Sequence, residues 1–173
     1  ALIMAALSTR IRSEALSHHE VDTLLETVNN AMYVLTVEEG FFATIVLAQY
    51  WPAEGRMQLT LGGHLPPLLV ADDQLRELSE LRGISLGVAP DVTYEQEEIF
   101  LSPGESILFV TDGVTEAENE RAELFGRSRL LDHINSAGGP PYGKGLLDTV
   151  NAWRGPAEAN DDLTMLEIWR DPD

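Results

Sequence analysis

The chain has 173 residues, of which 44% are hydrophobic and 23% are charged. Folded globular proteins have these proportions, and the length fits a single domain over residues 1–173. The 29 Asp and Glu residues outnumber the 11 Lys and Arg residues, and the formal net charge is -18. This charge repels nucleic-acid phosphates and anionic lipid surfaces, so it argues against a nucleic-acid-binding or membrane-surface protein.

The sequence contains no cysteine. This excludes disulfides, thiolate metal sites and cysteine nucleophiles, and it mildly favours the cytoplasm. Any metal ion must therefore be held by oxygen or imidazole ligands. The longest apolar stretch, residues 41–48, is far shorter than the roughly 20 residues that a bilayer-spanning helix needs, so we expect no membrane span.

Hydrophobic periodicity and turn residues predict, in chain order, helices over 1–16 and 20–33, a hairpin of strands 41–50 and 56–61, a second hairpin of 68–70 and 75–78, strands over 94–101 and 106–111, helices over 127–134 and 145–153, and a last strand over 163–169. Helices at both ends with hairpins between them predict an α+β fold with antiparallel sheets, not a doubly wound parallel sheet. The first helix has no capping residue before it, so we expect it to begin outside the given chain.

Two acidic segments stand at predicted strand ends. Asp112 and Gly113 directly follow the apolar strand 106–111, and the Asn-Asp-Asp segment 160–162 comes just before the last strand. A carboxylate at the end of a buried strand suits a metal ligand, and a glycine beside it permits a sharp turn. The alternatives are a helix cap for Asp112 and an ordinary turn for the second segment. If the two strands are neighbours, the segments could together hold a hard cation such as Mg²⁺ or Mn²⁺.

Other catalytic patterns are weaker. His64 lies between two glycines and two prolines, where a structural role is favoured over a catalytic one. The sequence has no serine-hydrolase elbow, P-loop or dinucleotide fingerprint.

Four segments, in order, resemble the metal-dependent protein phosphatases of the PPM superfamily, in the bacterial branch of stage II sporulation protein E and the sigma-factor regulators. They are GGHLPPLL at 62–69, GISLGV at 83–88, ILFVTDGVTEA at 107–117 followed by LFG at 124–126, and DDLT at 161–164. The resemblance runs from the first helix to the C-terminus. It implies two packed antiparallel sheets flanked by helix pairs, which agrees with the order of elements predicted above.

The resemblance also implies a site and a reaction. Asp112 and Asp161 would be ligands of one metal in a two-metal centre of Mn²⁺ or Mg²⁺, with Asp162 beside them and Gly113 allowing the turn. The reaction would be hydrolysis of phosphoserine or phosphothreonine in a protein, with metal-bound water as the nucleophile.

The chain departs from the family pattern at its start. The family has an acidic ligand in a Gly-Asp motif and a metal-bridging Asp in an Asp-x-x-Gly-x-Gly motif before the first helix, and this chain starts at that helix. The first strands would then be missing too. Two interpretations follow: a fragment of a longer phosphatase domain, or a module that has lost part of its metal centre and binds a regulatory partner without catalysis.

The leading hypothesis is a cytoplasmic serine/threonine phosphatase domain that serves as the output of a signal-transduction protein. Its substrate would be a phosphorylated regulatory protein, plausibly an anti-sigma-factor antagonist, and an upstream sensor or receiver domain would regulate it. The resemblance places regulation at the first two helices. We therefore expect Glu26 and Asn30, on the exposed part of the second helix, to influence activation more than stability.

Overall fold

Five helices and seven strands make up the described part of the chain. The computed structural model describes residues 2–17, 20–38, 40–72 and 74–172. In chain order the elements are α1 (Leu2–Glu14), α2 (Val21–Thr36), β1 (Ile45–Trp51), β2 (Arg56–Gly62), β3 (Leu68–Ala71), β4 (Gln74–Glu77), β5 (Gln96–Phe100), β6 (Ser106–Val110), α3 (Asp112–Thr115), α4 (Gly126–Ser136), α5 (Gly143–Arg154) and β7 (Met165–Trp169). The chain divides into two compact units, Ala1–His64 with Ser79–Phe100, and Leu65–Leu78 with Leu101–Asp173.

The first unit contains α1, α2 and a three-stranded antiparallel sheet in the order β1-β2-β5. Apolar residues recur on α2 at helical spacing, and the face they form is buried. The core cluster of this unit consists of Leu7, Leu24, Leu25, Val28, Met32, Leu86 and Tyr94. The predicted amphipathic second helix is therefore confirmed.

A buried amide holds the loop after residue 83 against α2. Asn29 is fully buried; its Nδ2 donates to the Ala89 carbonyl at 2.9 Å, and its Oδ1 accepts from the Gly87 N–H at 3.0 Å. Gly87 has φ +84°, and a Cβ there would lie 2.5 Å from the Thr36 hydroxyl oxygen. The loop therefore needs glycine both for its backbone conformation and for its close approach to the helix.

The expectation that Glu26 lies on the exposed part of the second helix is wrong, whereas the expected influence of Glu26 and Asn30 on activation stays a prediction. Asn30 is exposed, as expected, but its Oδ1 accepts from the Asp91 N–H at 2.8 Å. Glu26 is half-buried, and its Oε1 accepts from the Tyr94 N–H at 3.2 Å. Both side chains satisfy backbone donors of the same loop, so substitution at either position affects stability as well as any regulatory contact.

The second unit contains a four-stranded antiparallel sheet in the order β4-β3-β6-β7, together with α3, α4 and α5. Every residue of β6 is buried, as its continuous apolar run predicts. Leu108 and Val110 of β6 belong to one buried cluster with Leu130 of α4 and Leu146 of α5. The α+β class with two antiparallel sheets is therefore confirmed.

The observed elements differ most from the predicted ones in two places, and most other bounds shift by one to three residues. The first strand begins at Ile45 and not at residue 41, because Phe41 and Phe42 are exposed and Ala43 makes only an isolated bridge to Leu86. The short helix α3 was not predicted as an element, since four residues are too few to show a period. Within the described residues, no helix is long and apolar enough to cross a bilayer.

We expect Asn29→Ala to destabilise the protein by about 2 kcal/mol, because it leaves a buried N–H at Gly87 and a half-buried carbonyl at Ala89 without their partner. Asn30→Ala is the matched control on the same helix, and its loss of one exposed hydrogen bond costs about 0.5–1 kcal/mol. Urea denaturation of both variants measures the difference. Equal stabilities would contradict the assigned role of Asn29.

Tyr94 makes a contribution to the stability of the first unit that depends on pH. Burial and, to a smaller extent, the charge of Glu26 raise the pKa of Tyr94 from 10.0 to about 12. Because folding favours the neutral phenol, this contribution is complete below pH 10 and is lost as the pH rises towards about 12. The stability difference between the wild type and Tyr94→Phe should therefore shrink over this interval; a constant difference in denaturation experiments would disprove the assignment.

Candidate metal centre

The pairing of β6 with β7 brings the two acidic segments to one edge of the sheet. The strands are antiparallel neighbours, with Val110 opposite Met165. The residues that follow β6 and those that precede β7 therefore lie at the same end of the ladder. Asp112 is the first residue of α3, and Asp161 lies in the loop before β7. The condition set from the sequence, that the two strands be neighbours, is met.

Backbone packing at Gly113 brings these segments into contact. Gly113 is buried, and a Cβ built there would lie 3.0 Å from the carbonyl carbon of Asp162 and 3.3 Å from the Cα of Leu163. Its φ is not in the left-handed region. Glycine is therefore required here for close approach and not, as the sequence suggested, for a sharp turn.

Thr111 extends the β6–β7 pairing beyond the regular strands. Its N–H donates to the Thr164 carbonyl at 3.1 Å, and its hydroxyl oxygen accepts from the Thr164 N–H at 3.0 Å. A side-chain hydroxyl thus takes the place of a backbone carbonyl at the point where the chain leaves the ladder for α3.

The carboxylates of Asp112, Asp161 and Asp162 are exposed, and the hydrogen bonds that two of them accept from described residues are local. Asp112 Oδ1 accepts from the Gly113 N–H at 3.1 Å, and Asp161 Oδ1 accepts from the Asp162 N–H at 2.7 Å. A carboxylate has about four lone-pair sites, so each of these groups keeps accepting capacity. The N-cap residue of α3 is Thr111, and Asp112 is the first residue of the helix. Asp112 is therefore not the N-cap residue that the helix-cap alternative requires.

The donor set fits part of a metal centre. Among the residues that the structure describes, no three His, Cys, Asp or Glu side chains cluster closely enough to hold a metal ion. Mg²⁺ is commonly bound through one or two carboxylates with water at the remaining positions, and oxygen donors suit Mg²⁺ and Mn²⁺. Asp112 and Asp161 are of the donor type that such a hydrated site uses, whereas a complete two-metal centre is not formed from the described residues.

Sequence reasoning missed two residues that hold the segments together, Thr111 and Asn160. The Nδ2 of Asn160 donates to the Glu116 carbonyl at 2.9 Å. Thr111 falls within a segment that carries the family resemblance, but nothing local marks its hydroxyl as a ladder acceptor. Asn160 has the composition of a turn residue, and only its contact with a carbonyl 44 positions away reveals its role.

Two other segments that carry the family resemblance each contribute a glycine to close packing in the first unit. The Gly63 N–H donates to the Gly83 carbonyl at 2.7 Å. A Cβ at Gly63 would lie 2.9 Å from the Cα of Ser85, and one at Gly83 would lie 2.7 Å from the ring of Tyr94. Glycine is therefore needed at both positions, because a larger side chain would clash with these neighbours.

Comparison with known proteins gives the family. The model of the stage II sporulation protein E (SpoIIE) family matches residues 1–171. Protein IcfG of Synechocystis sp. is 27% identical over 97 residues, which are 56% of this chain and 15% of that protein. The phosphoserine phosphatase RsbU of Bacillus subtilis is 29% identical over 97 residues, which are 55% of this chain and 29% of that protein. The matched region is thus less than a third of either curated relative.

Solved structures agree on the fold. The SiaA-PP2C domain of Pseudomonas aeruginosa superposes with a TM-score of 0.79 at 20% identity, covering 99% of this chain and 70% of that one. The phosphatase domain of SpoIIE from Bacillus subtilis, in a structure described as Mn presoaked, has a TM-score of 0.62 at 15% identity and covers 99% and 74%. The family match extends over nearly the whole chain, and these domains share its arrangement of helices and antiparallel sheets. The chain belongs to the stage II sporulation protein E family and has the fold of PP2C-type phosphatase domains.

Proposed function

We propose that this chain forms the catalytic region of a protein serine/threonine phosphatase that depends on Mn²⁺ or Mg²⁺, with Asp112 and Asp161 as metal ligands. The observation that carries the proposal is the close packing of Gly113 on the backbone of Asp162, at the shared end of β6 and β7. Family membership alone supports a phosphatase fold; this contact supports a site, because it keeps the two acidic segments adjacent.

A divalent cation bound at this edge would supply Lewis acidity towards a phosphoryl oxygen and a water of lowered pKa. The residues of this chain would do the remaining work. Asp112 and Asp161 provide negative charge to hold a cation, and Gly113 keeps their backbones close. Asp162 adds a third negative charge beside them. This charge attracts cations to the site and repels free anions.

We propose a phosphorylated signalling protein as the substrate, with phosphoserine or phosphothreonine as the reacting group. The name of the RsbU relative, a phosphoserine phosphatase, supports this class, and an anti-sigma-factor antagonist is the specific candidate. The matched region is a small part of each curated relative, which leaves room in such proteins for an upstream sensor or receiver domain. We place the protein in the cytoplasm and treat residues 1–173 as parts of one phosphatase domain.

The second candidate function is a phosphatase-like module that binds a regulatory partner without catalysis. The absence of a three-ligand cluster among the described residues favours it. Both candidates have the same fold, so they differ in whether the protein hydrolyses a phosphorylated substrate.

Titration of the chain with Mn²⁺ tests the proposed ligands. We expect at most one weak site, because the two carboxylates form an incomplete ligand set. Asp112→Asn and Asp161→Asn should each abolish that binding while keeping size and fold. Asp148→Asn, at an exposed position of α5, is the matched control and should bind as the wild type does. Two tight sites, or unchanged binding in both variants, would rule out the proposed ligand set.

The same three variants, made in a longer version of the protein that includes the segment before the first helix and assayed with a phosphoserine protein and Mn²⁺, separate the two candidate functions. If the protein is a phosphatase, the wild type should hydrolyse the phosphoprotein, and the hydrolysis rate of the two ligand variants should fall by at least about 100-fold. A residue that only supports a metal ligand costs less than this when it is lost. A wild-type chain that binds the phosphoprotein but does not hydrolyse it favours the binding module.

Gly113→Ala tests the close packing directly. The new Cβ must displace the backbone at Asp162, so we expect destabilisation by about 1–3 kcal/mol and weaker Mn²⁺ binding. Gly138→Ala is the control, because a Cβ at Gly138 meets nothing within 4 Å and its φ is not positive. Chemical denaturation compares the two variants, and equal stability would show that the contact is not tight.

A further inference from the structure

Asn160 connects the two acidic segments through its side chain. Its Nδ2 donates to the Glu116 carbonyl at 2.9 Å. Glu116 is the C-cap residue of α3, and its own N–H donates to the Asp112 carbonyl at 2.7 Å. The loop that carries Asp161 is therefore attached to the end of the short helix that begins with Asp112.

We propose that Asn160 is a positioning residue for the cation site, which holds the backbone of Asp161 against α3 before any cation binds. The inference rests on the proposed function in one respect, the assignment of Asp112 and Asp161 as cation ligands. Asn160 itself is not assigned as a ligand in this proposal; its role is the hydrogen bond from its amide nitrogen to a backbone carbonyl.

The loop before β7 is held on both sides of Asp161. On the C-terminal side, Asp162 packs on Gly113, and Thr164 bonds to Thr111 through both its N–H and its carbonyl. On the N-terminal side, Asn160 makes the contact with Glu116. A ligand anchored on both sides loses little further backbone freedom when it binds a cation, and this lowers the entropic cost of binding.

The acceptor of the Asn160 bond is itself well fixed. The next residue, Ala117, is buried, and its carbonyl accepts from the Phe125 N–H at 2.8 Å. The Phe125 carbonyl accepts in turn from Arg129 Nη1 at 2.8 Å. Asn160 therefore attaches the Asp161 loop to a residue whose neighbour in the chain is buried and hydrogen-bonded.

The bond also supports α3, which has only four residues. A single helical turn is not stable by itself, and carbonyls at a helix end need partners outside the helix. Asn160 supplies one such partner, so its loss should loosen α3 and the Asp112 backbone as well as the Asp161 loop.

The test uses Asn160→Ala in the whole chain, with Asn160→Gln as the conservative variant that keeps an amide donor. Asn135→Ala, at an exposed position of α4, is the control for loss of a surface asparagine. Amide hydrogen exchange without metal, thermal midpoints and Mn²⁺ titration are measured for all. We expect Asn160→Ala to speed exchange at Glu116 and Asp162 several-fold and to weaken Mn²⁺ binding by about tenfold, at a nearly unchanged midpoint. Asn160→Gln should recover part of the affinity, and Asn135→Ala should match the wild type.

Unchanged exchange at Glu116 and Asp162 in Asn160→Ala would overturn the proposal, whether or not the chain binds Mn²⁺. Faster exchange with unchanged Mn²⁺ affinity would also overturn it, because the bond would then be structural only. A wild-type chain that binds no Mn²⁺ would instead refute the proposed function, and the exchange data obtained without metal would still decide whether Asn160 holds the loop.

Discussion

The second unit depends on the antiparallel pairing of β6 with β7. The strand β6 is buried at every position, and it lies between β3 and β7 in the sheet. Its backbone must therefore be paired on both sides, because an unpaired buried N–H or carbonyl is costly. The partner β7 comes from the end of the sequence, so this pairing joins residues about 55 positions apart and places both acidic segments at one edge.

The same kind of contact recurs in the two units. In the first, Asn29 bonds to the backbone of a loop that reaches the helix at Gly87. In the second, Asn160 bonds to the end of α3 beside the close approach at Gly113. An asparagine side chain can pair with backbone groups that no strand or helix reaches, and a nearby glycine leaves room for the two backbones to meet. Each of these loops is thus held by side-chain hydrogen bonds and close backbone packing outside the regular elements.

A shared fold and a shared function are separate conclusions for this chain. The family match and the structural neighbours establish the arrangement of helices and sheets, and many folds carry more than one activity. The case for phosphatase chemistry depends on a small number of contacts at the edge of one sheet. Exposed carboxylates are common on a chain with a net charge of -18. What distinguishes Asp112 and Asp161 is that buried backbone packing keeps their segments together.

The α+β class, the order of the longer elements and the two acidic segments at strand ends can all be read from the sequence alone. These features depend on local periodicity and on turn residues, which can be read within a window of about 11–18 residues. The strand pairing, β2 with β5 and β3 with β6, is visible only in the folded chain. The same is true of the exposure of Phe41 and Phe42 outside β1 and of the hydrogen bonds from a loop to Glu26 and Asn30. It is also true of the contacts that Gly113, Thr111 and Asn160 make. Each of these depends on which distant backbone lies opposite a residue, and that is set by the burial of the whole sheet and not by the neighbours of the residue in the chain.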